Sequence, residues 1–157
     1  MTREAMEALV IGMQDALYRV SAAILYRPCD REDAIQECIL KAIQKRDSLR
    51  DDRAAKSWIM RILINECYKI LRFDMRVRPS DLLPEPEPAP DADRNVFRIL
   101  FSLPDAFRLP TVLFYVEGYT VEEIGKMLRL PSGTVKSRLS RARKKMKEEL
   151  TKEASEK

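Results

Sequence analysis

The sequence predicts an all-α protein built as two small helical domains joined by a proline-rich acidic linker. Three observations carry this. Apolar residues recur every three or four positions along most of the chain, the period of helices with one buried face. Charged residues make up 34% and aromatic residues 7% of the 157 positions, which suits soluble helices with a modest core. Pro79, Pro84, Pro86, Pro88 and Pro90 crowd one short stretch, where they exclude helix and favour an extended chain. Domains of about 60–70 residues bury little of their surface and are only marginally stable alone.

The first element expected is an amphipathic helix from Thr2 to about Tyr26, with Met6, Leu9, Met13, Leu17, Val20 and Ile24 on its apolar face. Thr2 suits its cap and Arg27-Pro28 ends it. A second helix, Arg31 to about Lys45, has Asp30 as cap and Ile35, Ile39, Ala42 and Ile43 as buried stripe. Gln36, Glu37, Leu40 and Lys41 point elsewhere. After a polar loop, 47–53, a third helix spans about 54–73, its apolar face formed by Ala55, Trp58, Ile59, Ile62, Leu63, Ile70 and Leu71. Trp58 is in phase with Ile62 and belongs to the core. Arg61, Asn65, Lys69 and Arg72 recur at spacings of four, four and three, one polar stripe that is either a solvated face or a binding surface. Residues 1–73 form the first domain and 74–94 the linker, which carries Asp81, Glu85, Glu87, Asp91 and Asp93 with no base from 79 to 93.

The second domain spans 95–150. A short helix covers Val96 to about Ser102, and Leu103-Pro104 turns the chain. Pro110 fits the first turn of a helix near Thr111–Val116. Glu117-Gly118-Tyr119 is a turn. Thr120 and Glu123 have the spacing of a capping box before Val121, Ile124, Met127 and Leu128. Three residues then lead to a last helix capped by Ser132, and 151–157 is a charged, frayed tail. Thr120 to Met146 therefore reads as a helix-turn-helix. Gly125 is the small residue at the crossing, and Val135 and Leu139 anchor the second helix. Its other face carries Thr134, Lys136, Ser137, Arg138, Arg141, Arg143 and Lys144, a basic, hydrogen-bonding surface suited to a major groove. Membrane-surface binding, a calmodulin-type target and a solvated face compete with DNA binding. The capped preceding helix and short turn argue against the first two.

Other classes fit poorly. The chain has no histidine, which removes the commonest general base and metal ligand. Cys29, Cys38 and Cys67 are odd in number and lack a C-x-x-C pair, so neither a disulfide framework nor a zinc site is expected. No metal, cofactor or catalytic residue is assigned. The +4 net charge is weak evidence alone, but the acid-free basic run from 132 to 147 is specific. Arg3, Glu4 and Glu7 break up any signal-peptide pattern, and no run approaches the roughly 20 apolar residues of a membrane span. A reducing, cytoplasmic setting without membrane insertion is expected.

The stretch EGYTVEEIGKMLRLPSGTVKSRLSRARKKM, Glu117 to Met146, resembles region 4 of the extracytoplasmic-function sigma factors of the sigma-70 family. LPDAFRLPTVLFYVEGY looks like the helices before it, DREDAIQE (Asp30 to Glu37) resembles region 2.2, and SWIMRILINECYKILR (Ser57 to Arg72) resembles region 2.4. The motifs stand in family order over nearly the whole chain. The resemblance implies a non-enzymatic, bacterial promoter-reading subunit whose partners are the RNA polymerase core, through its β′ and β subunits, and promoter DNA, with an anti-sigma protein as a further possible partner. It implies that Asp33, Gln36, Glu37 and Leu40 dock on a β′ coiled coil, or else are ordinary solvent-facing residues. It implies that Lys56, Arg61, Asn65, Lys69 and Arg72 meet the −10 strand, with the 50–53 loop near the captured base. Thr134, Ser137, Arg138 and Arg141 would read the −35 duplex, with Lys136, Arg143 and Lys144 on phosphates. The linker is either a threaded segment or a solubilising spacer. The chain departs from the family at Arg129, often a glycine, at Ala55, often aromatic, and at Ile64, often arginine. No region 3 or extra C-terminal domain is expected.

The alternative is a helix-turn-helix regulator acting without polymerase, which leaves the first domain unexplained. A small metal-dependent nucleic-acid enzyme would need clustered carboxylates, and Asp51-Asp52 is the only adjacent acidic pair in a loop of the first domain.

Overall fold

The structure, a computed structural model, describes residues 1–77, 86–88 and 93–156, and every described element is helical. The chain divides into two units, Met1–Glu87 and Pro88–Lys157.

In the first unit the single helix expected for residues 2–26 is two, α1 (Arg3–Gly12) and α2 (Gln14–Ala22). Gly12 weakens the helix where it breaks, and Met13 leaves helical geometry at φ −97°, ψ 1°. The apolar stripe survives the break: Met6, Met13, Leu17, Val20 and Ile24 are buried. Thr2 caps α1 by accepting from the Ala5 N–H at 3.1 Å. Helix α3 (Pro28–Gln44) begins earlier than expected. Pro28 takes its first position, where a missing N–H costs nothing, so Asp30 lies inside the helix and Arg27 at its cap.

The buried stripe of α3 is Arg31, Ala34, Cys38 and Ala42. Ile35, Ile39 and Ile43, expected there, are half-buried flanks. Helix α4 (Ala55–Val77, 23 residues) is the long element of this unit, about 35 Å at 1.5 Å per residue. It packs chiefly against α3. Its buried face is Ala55, Ile59, Met60, Leu63, Ile64, Glu66 and Cys67. Trp58 and Ile62 are half-buried beside it, so Trp58 is not the core residue that its phase suggested. Burial pushes the Cys38 thiol up to about 12 and also raises that of Cys67, the behaviour of small core residues rather than nucleophiles.

Helix α4 runs four residues into the stretch read as linker. Most of the rest of that stretch, 78–85 and 89–92 with Pro79, Asp81, Pro84, Glu85, Pro90 and Asp91, lies outside the described residues. Glu87 is described, and its N–H donates to the Tyr26 carbonyl at 3.1 Å.

In the second unit α5 (Arg94–Ser102) starts at the Asp93 cap, whose carboxylate accepts from the N–H groups of Asn95 and Val96. Helix α6 (Asp105–Thr111) carries Pro110 in its interior rather than in the first turn of a later helix. The helix continues as a π turn over Val112–Val116, where the Glu117 N–H reaches back five residues to the Val112 carbonyl at 3.0 Å. This widened register follows the proline, which lacks a donor and crowds the turn before it. Gly118, at φ +78°, closes the turn into α7 (Val121–Leu128). The capping box is formed in full: Glu123 N–H to Thr120 Oγ1 at 3.1 Å and Thr120 N–H to Glu123 Oε1 at 3.0 Å.

The cap of the last helix, α8 (Ser132–Glu156), belongs to Pro131 rather than Ser132, because the Val135 N–H bonds the Pro131 carbonyl at 3.2 Å. Helix α8 also continues through the residues expected to fray. An Arg98–Glu153 ion pair joins that extension to α5.

Arg129 ends α7 in the left-handed region, φ 57° and ψ 46°. A side chain there costs of the order of 1 kcal/mol that glycine does not incur. Arg129→Gly is therefore expected to stabilise the second unit by up to about 1 kcal/mol, read from denaturant unfolding.

Candidate nucleic-acid interface

Helix α8 is seated by Val135, Leu139 and Ala142, all at most 2% exposed, at the i, i+4, i+7 spacing of one buried face. Helices α6 and α7 receive it. The turn into it is residues 129–131, as short as expected. Gly125 is needed by that turn: a Cβ there would stand 2.8 Å from the Leu130 carbonyl oxygen. The small residue thus clears the turn backbone rather than the body of the second helix.

Lys136, Ser137, Arg141, Arg143 and Lys144 are exposed, while Thr134 and Arg138 are half-buried at the flank. Ser137, Arg141 and Lys144 share the outward face. Ser140 is exposed on that face too, three residues after Ser137 and four before Lys144, and the same spacing argument could have found it. Arg143 Nη1 donates to the Tyr115 hydroxyl at 2.9 Å, which ties it to the π turn that continues α6.

On α4 the stripe is present, with Asn65, Lys69 and Arg72 exposed and Arg61 half-buried. Lys56 is not part of it. It is exposed five residues before Arg61, about 140° around the helix. The 50–53 segment includes part of a 3₁₀ turn, Asp52–Ala54, capped by Asp51 through the Arg53 N–H at 3.0 Å. Ala55 and Ile64 are each 2% exposed and face the core, so neither substitution touches the polar stripe. On α3, Asp33, Gln36, Glu37 and Leu40 are all exposed and share one face, opposite Ala34 and Cys38.

A groove of about 380 Å³ runs between α3 and α4, lined by Asp30, Asp33, Ala34 and Glu37 on one side and Glu66, Lys69, Ile70 and Phe73 on the other. The sequence reading missed Glu66, which sits amid apolar neighbours and is 7% exposed. Its Oε1 accepts from Lys41 of α3 and, at 3.4 Å, from Lys69. Burial pushes this carboxyl up, but the two ammonium groups outweigh it and hold it below the ordinary glutamate range.

A carboxyl lowered on folding stabilises the fold above its unfolded pKa, and that contribution is lost as pH falls through the folded value. The Glu66 contribution to the first unit should hold above the unfolded glutamate value of about 4.3 and be lost as pH falls below it, and Glu66→Gln should flatten that part of the profile while lowering stability at neutral pH. Thermal unfolding across pH checks it. Among the described residues no group of three or more His, Cys, Asp or Glu is placed to hold a metal ion, and no helix is long and apolar enough to cross a membrane.

These features define an all-helical protein of the helix-turn-helix class with a second helical unit before the motif. Comparison with known proteins makes the assignment specific. Residues 9–77 match Sigma-70 region 2 and residues 102–146 match Sigma-70 region 4. The ECF RNA polymerase sigma factor SigM of Mycobacterium tuberculosis is 35% identical over 125 residues, 74% of this chain and 62% of SigM. The ECF RNA polymerase sigma-E factor of Escherichia coli is 31% identical over 134 residues, 73% of this chain and 70% of that one. Among solved structures, the sigma factor RpoE of Bartonella quintana, in complex with the anti-sigma factor NepR, matches with TM-score 0.82 and 26% identity over 94% of this chain and 98% of that one. The chain belongs to the sigma-70 family, in its extracytoplasmic-function group.

Proposed function

We propose that the protein is a promoter-specificity subunit that carries core RNA polymerase to its start sites and performs no catalysis itself. Residues 1–73 hold the core and the −10 element, 74–94 space the two units, and 95–150 read the −35 element. The observation that carries this reading is the pairing of two helical units, each with an exposed polar or basic helix face, in family order. A regulator without polymerase leaves the α3 face and the α4 stripe unused.

Asp33, Gln36, Glu37 and Leu40 dock on the β′ subunit. Arg61, Asn65, Lys69 and Arg72 follow the melted −10 strand, with Lys56 meeting DNA from a separate side of α4. Thr134, Ser137, Arg138 and Arg141 read base edges, while Lys136, Arg143 and Lys144 position the helix on phosphates. Binding energy from both elements offsets the cost of opening the duplex, and the polymerase supplies the phosphoryl chemistry. Such a protein works in the cytoplasm. RpoE of Bartonella quintana is bound by an anti-sigma protein, and a comparable inhibitor is a candidate partner here.

Run-off transcription with core polymerase, this chain and a promoter library is the test. Defined start sites are expected, and a folded chain that directs core to none overturns the reading. On a selected promoter, Arg138→Ala is expected to lose about 1–3 kcal/mol of discrimination at one base pair. Lys144→Ala is expected to weaken binding on every sequence and lower the salt slope by about one. Duplex-binding titrations across salt concentrations separate the two.

A further inference from the structure

The promoter-reading stripe and the proposed core-docking face are not electrostatically independent. Lys41 follows the docking residue Glu37 by one turn of α3, and its ammonium group is held charged chiefly by the bond to Glu66, with the Glu37 carboxylate the smallest contribution. Lys41 bonds Glu66 at Oε1, and Lys69 of the α4 stripe bonds the same oxygen at 3.4 Å. The Lys41 side chain is 26% exposed and that of Lys69 is 60% exposed. The first contact is shielded and the second is screened by water, hence the weaker of the two. Glu37, Glu66 and Lys69 all line the one groove between α3 and α4.

We propose that Glu66 is a positioning residue that restrains Lys69 in the free protein and loosens its hold when a basic side chain of the polymerase engages Glu37. The inference rests on the functional reading above. A cation arriving at Glu37 cancels its pull on Lys41 and repels that ammonium group toward Glu66. Two ammonium groups then compete more closely for one carboxylate oxygen, and the exposed one yields. Lys69 becomes more available to a strand phosphate once core is bound. Such a relay favours promoter-strand binding by the holoenzyme over binding by the free subunit, because both ligands favour the state in which the Glu66–Lys69 pair is loosened.

The test measures binding of a fluorescein-labelled single-stranded oligonucleotide carrying the selected −10 element, by anisotropy, to the full chain with and without core. Glu66→Gln is expected to tighten binding by the free chain about two- to fivefold, the range an exposed charge pair supplies, and to shrink the further gain on adding core. Both effects should disappear in the Glu66→Gln/Lys69→Gln double variant. Glu37→Gln, at an exposed position, is expected to produce a smaller gain in the same direction, also lost without Lys69.

A folded Glu66→Gln variant that binds as the wild type does, or that gains equally without Lys69, overturns the proposal. Should Glu66→Gln fail to fold, Glu37→Gln decides by the same criteria. A wild-type chain that does not function with core overturns the functional reading itself, and this inference with it. That outcome is recognisable because the unmodified protein already fails.

Discussion

Arg31→Ala is expected to destabilise the first unit by about 3–5 kcal/mol, the combined cost of a large core truncation and of carbonyls left without donors. Arg31 is 0% exposed. Its Nε donates to the Leu25 carbonyl at 3.0 Å and its Nη2 to the Tyr26 carbonyl at 3.3 Å, so it satisfies the chain where α2 has ended and α3 has not begun. Its guanidinium carbon lies 5.9 Å from the centre of the Tyr18 ring. The site is imperfect for a cation, since Nη1 is buried without a hydrogen-bond partner. Arg31→Met should therefore cost less than alanine: it keeps most of the volume and removes the desolvated charge, but leaves the two carbonyls unserved. Trp58 is the only tryptophan and lies in this unit, so its fluorescence in urea follows the unfolding directly. An Arg31→Ala midpoint close to that of the wild type would show that the carbonyls find other donors.

Arg31 also marks where sequence reasoning stops. Periodicity finds which residues are apolar, and on α3 it selects Ile35, Ile39 and Ile43. The face that meets α4 is instead the narrow one of Ala34, Cys38 and Ala42, since small residues let two helices approach closely. The isoleucines cover the flanks. Glu66 and Arg108 share this illegibility: each is a charged residue inside an apolar face, stabilised by groups distant in sequence or in the neighbouring helix. Arg108 donates to the carbonyls of Leu100 and Leu103 at the end of α5 and lies over the Phe101 ring, repeating in the second unit what Arg31 does in the first. The features that were legible are local. The Thr120–Glu123 capping box, the Val135 and Leu139 anchors and the exposed basic residues of α8 each depend on spacings of three or four within one helix. The left-handed Arg129 and the interior Pro110 broke local rules, and only tertiary packing could hold them there.

If the proposed roles of the two units hold, Gly125→Val is expected to weaken binding of the −35 duplex tenfold or more while leaving the core binding proposed for the first unit intact. The atom that a Cβ would strike, the Leu130 carbonyl oxygen at 2.8 Å, belongs to the backbone and cannot rotate away as a side chain could. It is held by the adjoining Leu130 N–H, which donates to the Gly125 carbonyl at 2.9 Å, and by Pro131, whose carbonyl takes the first bonds of α8. Relief requires the 129–131 turn to move, and α8 moves with it. Overpacking of this kind costs about 1–3 kcal/mol for one methyl group and more for a branched side chain. Gly125→Ala should therefore lower the stability of the second unit by that amount, and Gly125→Val should leave α8 displaced or the unit unfolded. A displacement of about 1 Å is enough to misplace base-reading side chains, so affinity for a selected −35 duplex should fall by tenfold or more, about 1.4 kcal/mol. The Trp58 unfolding curve should not move, because Trp58 reports on the other unit. Wild-type duplex affinity in Gly125→Val would mean that α8 is placed by Val135, Leu139 and Ala142 alone, and that the turn has no part in aiming it.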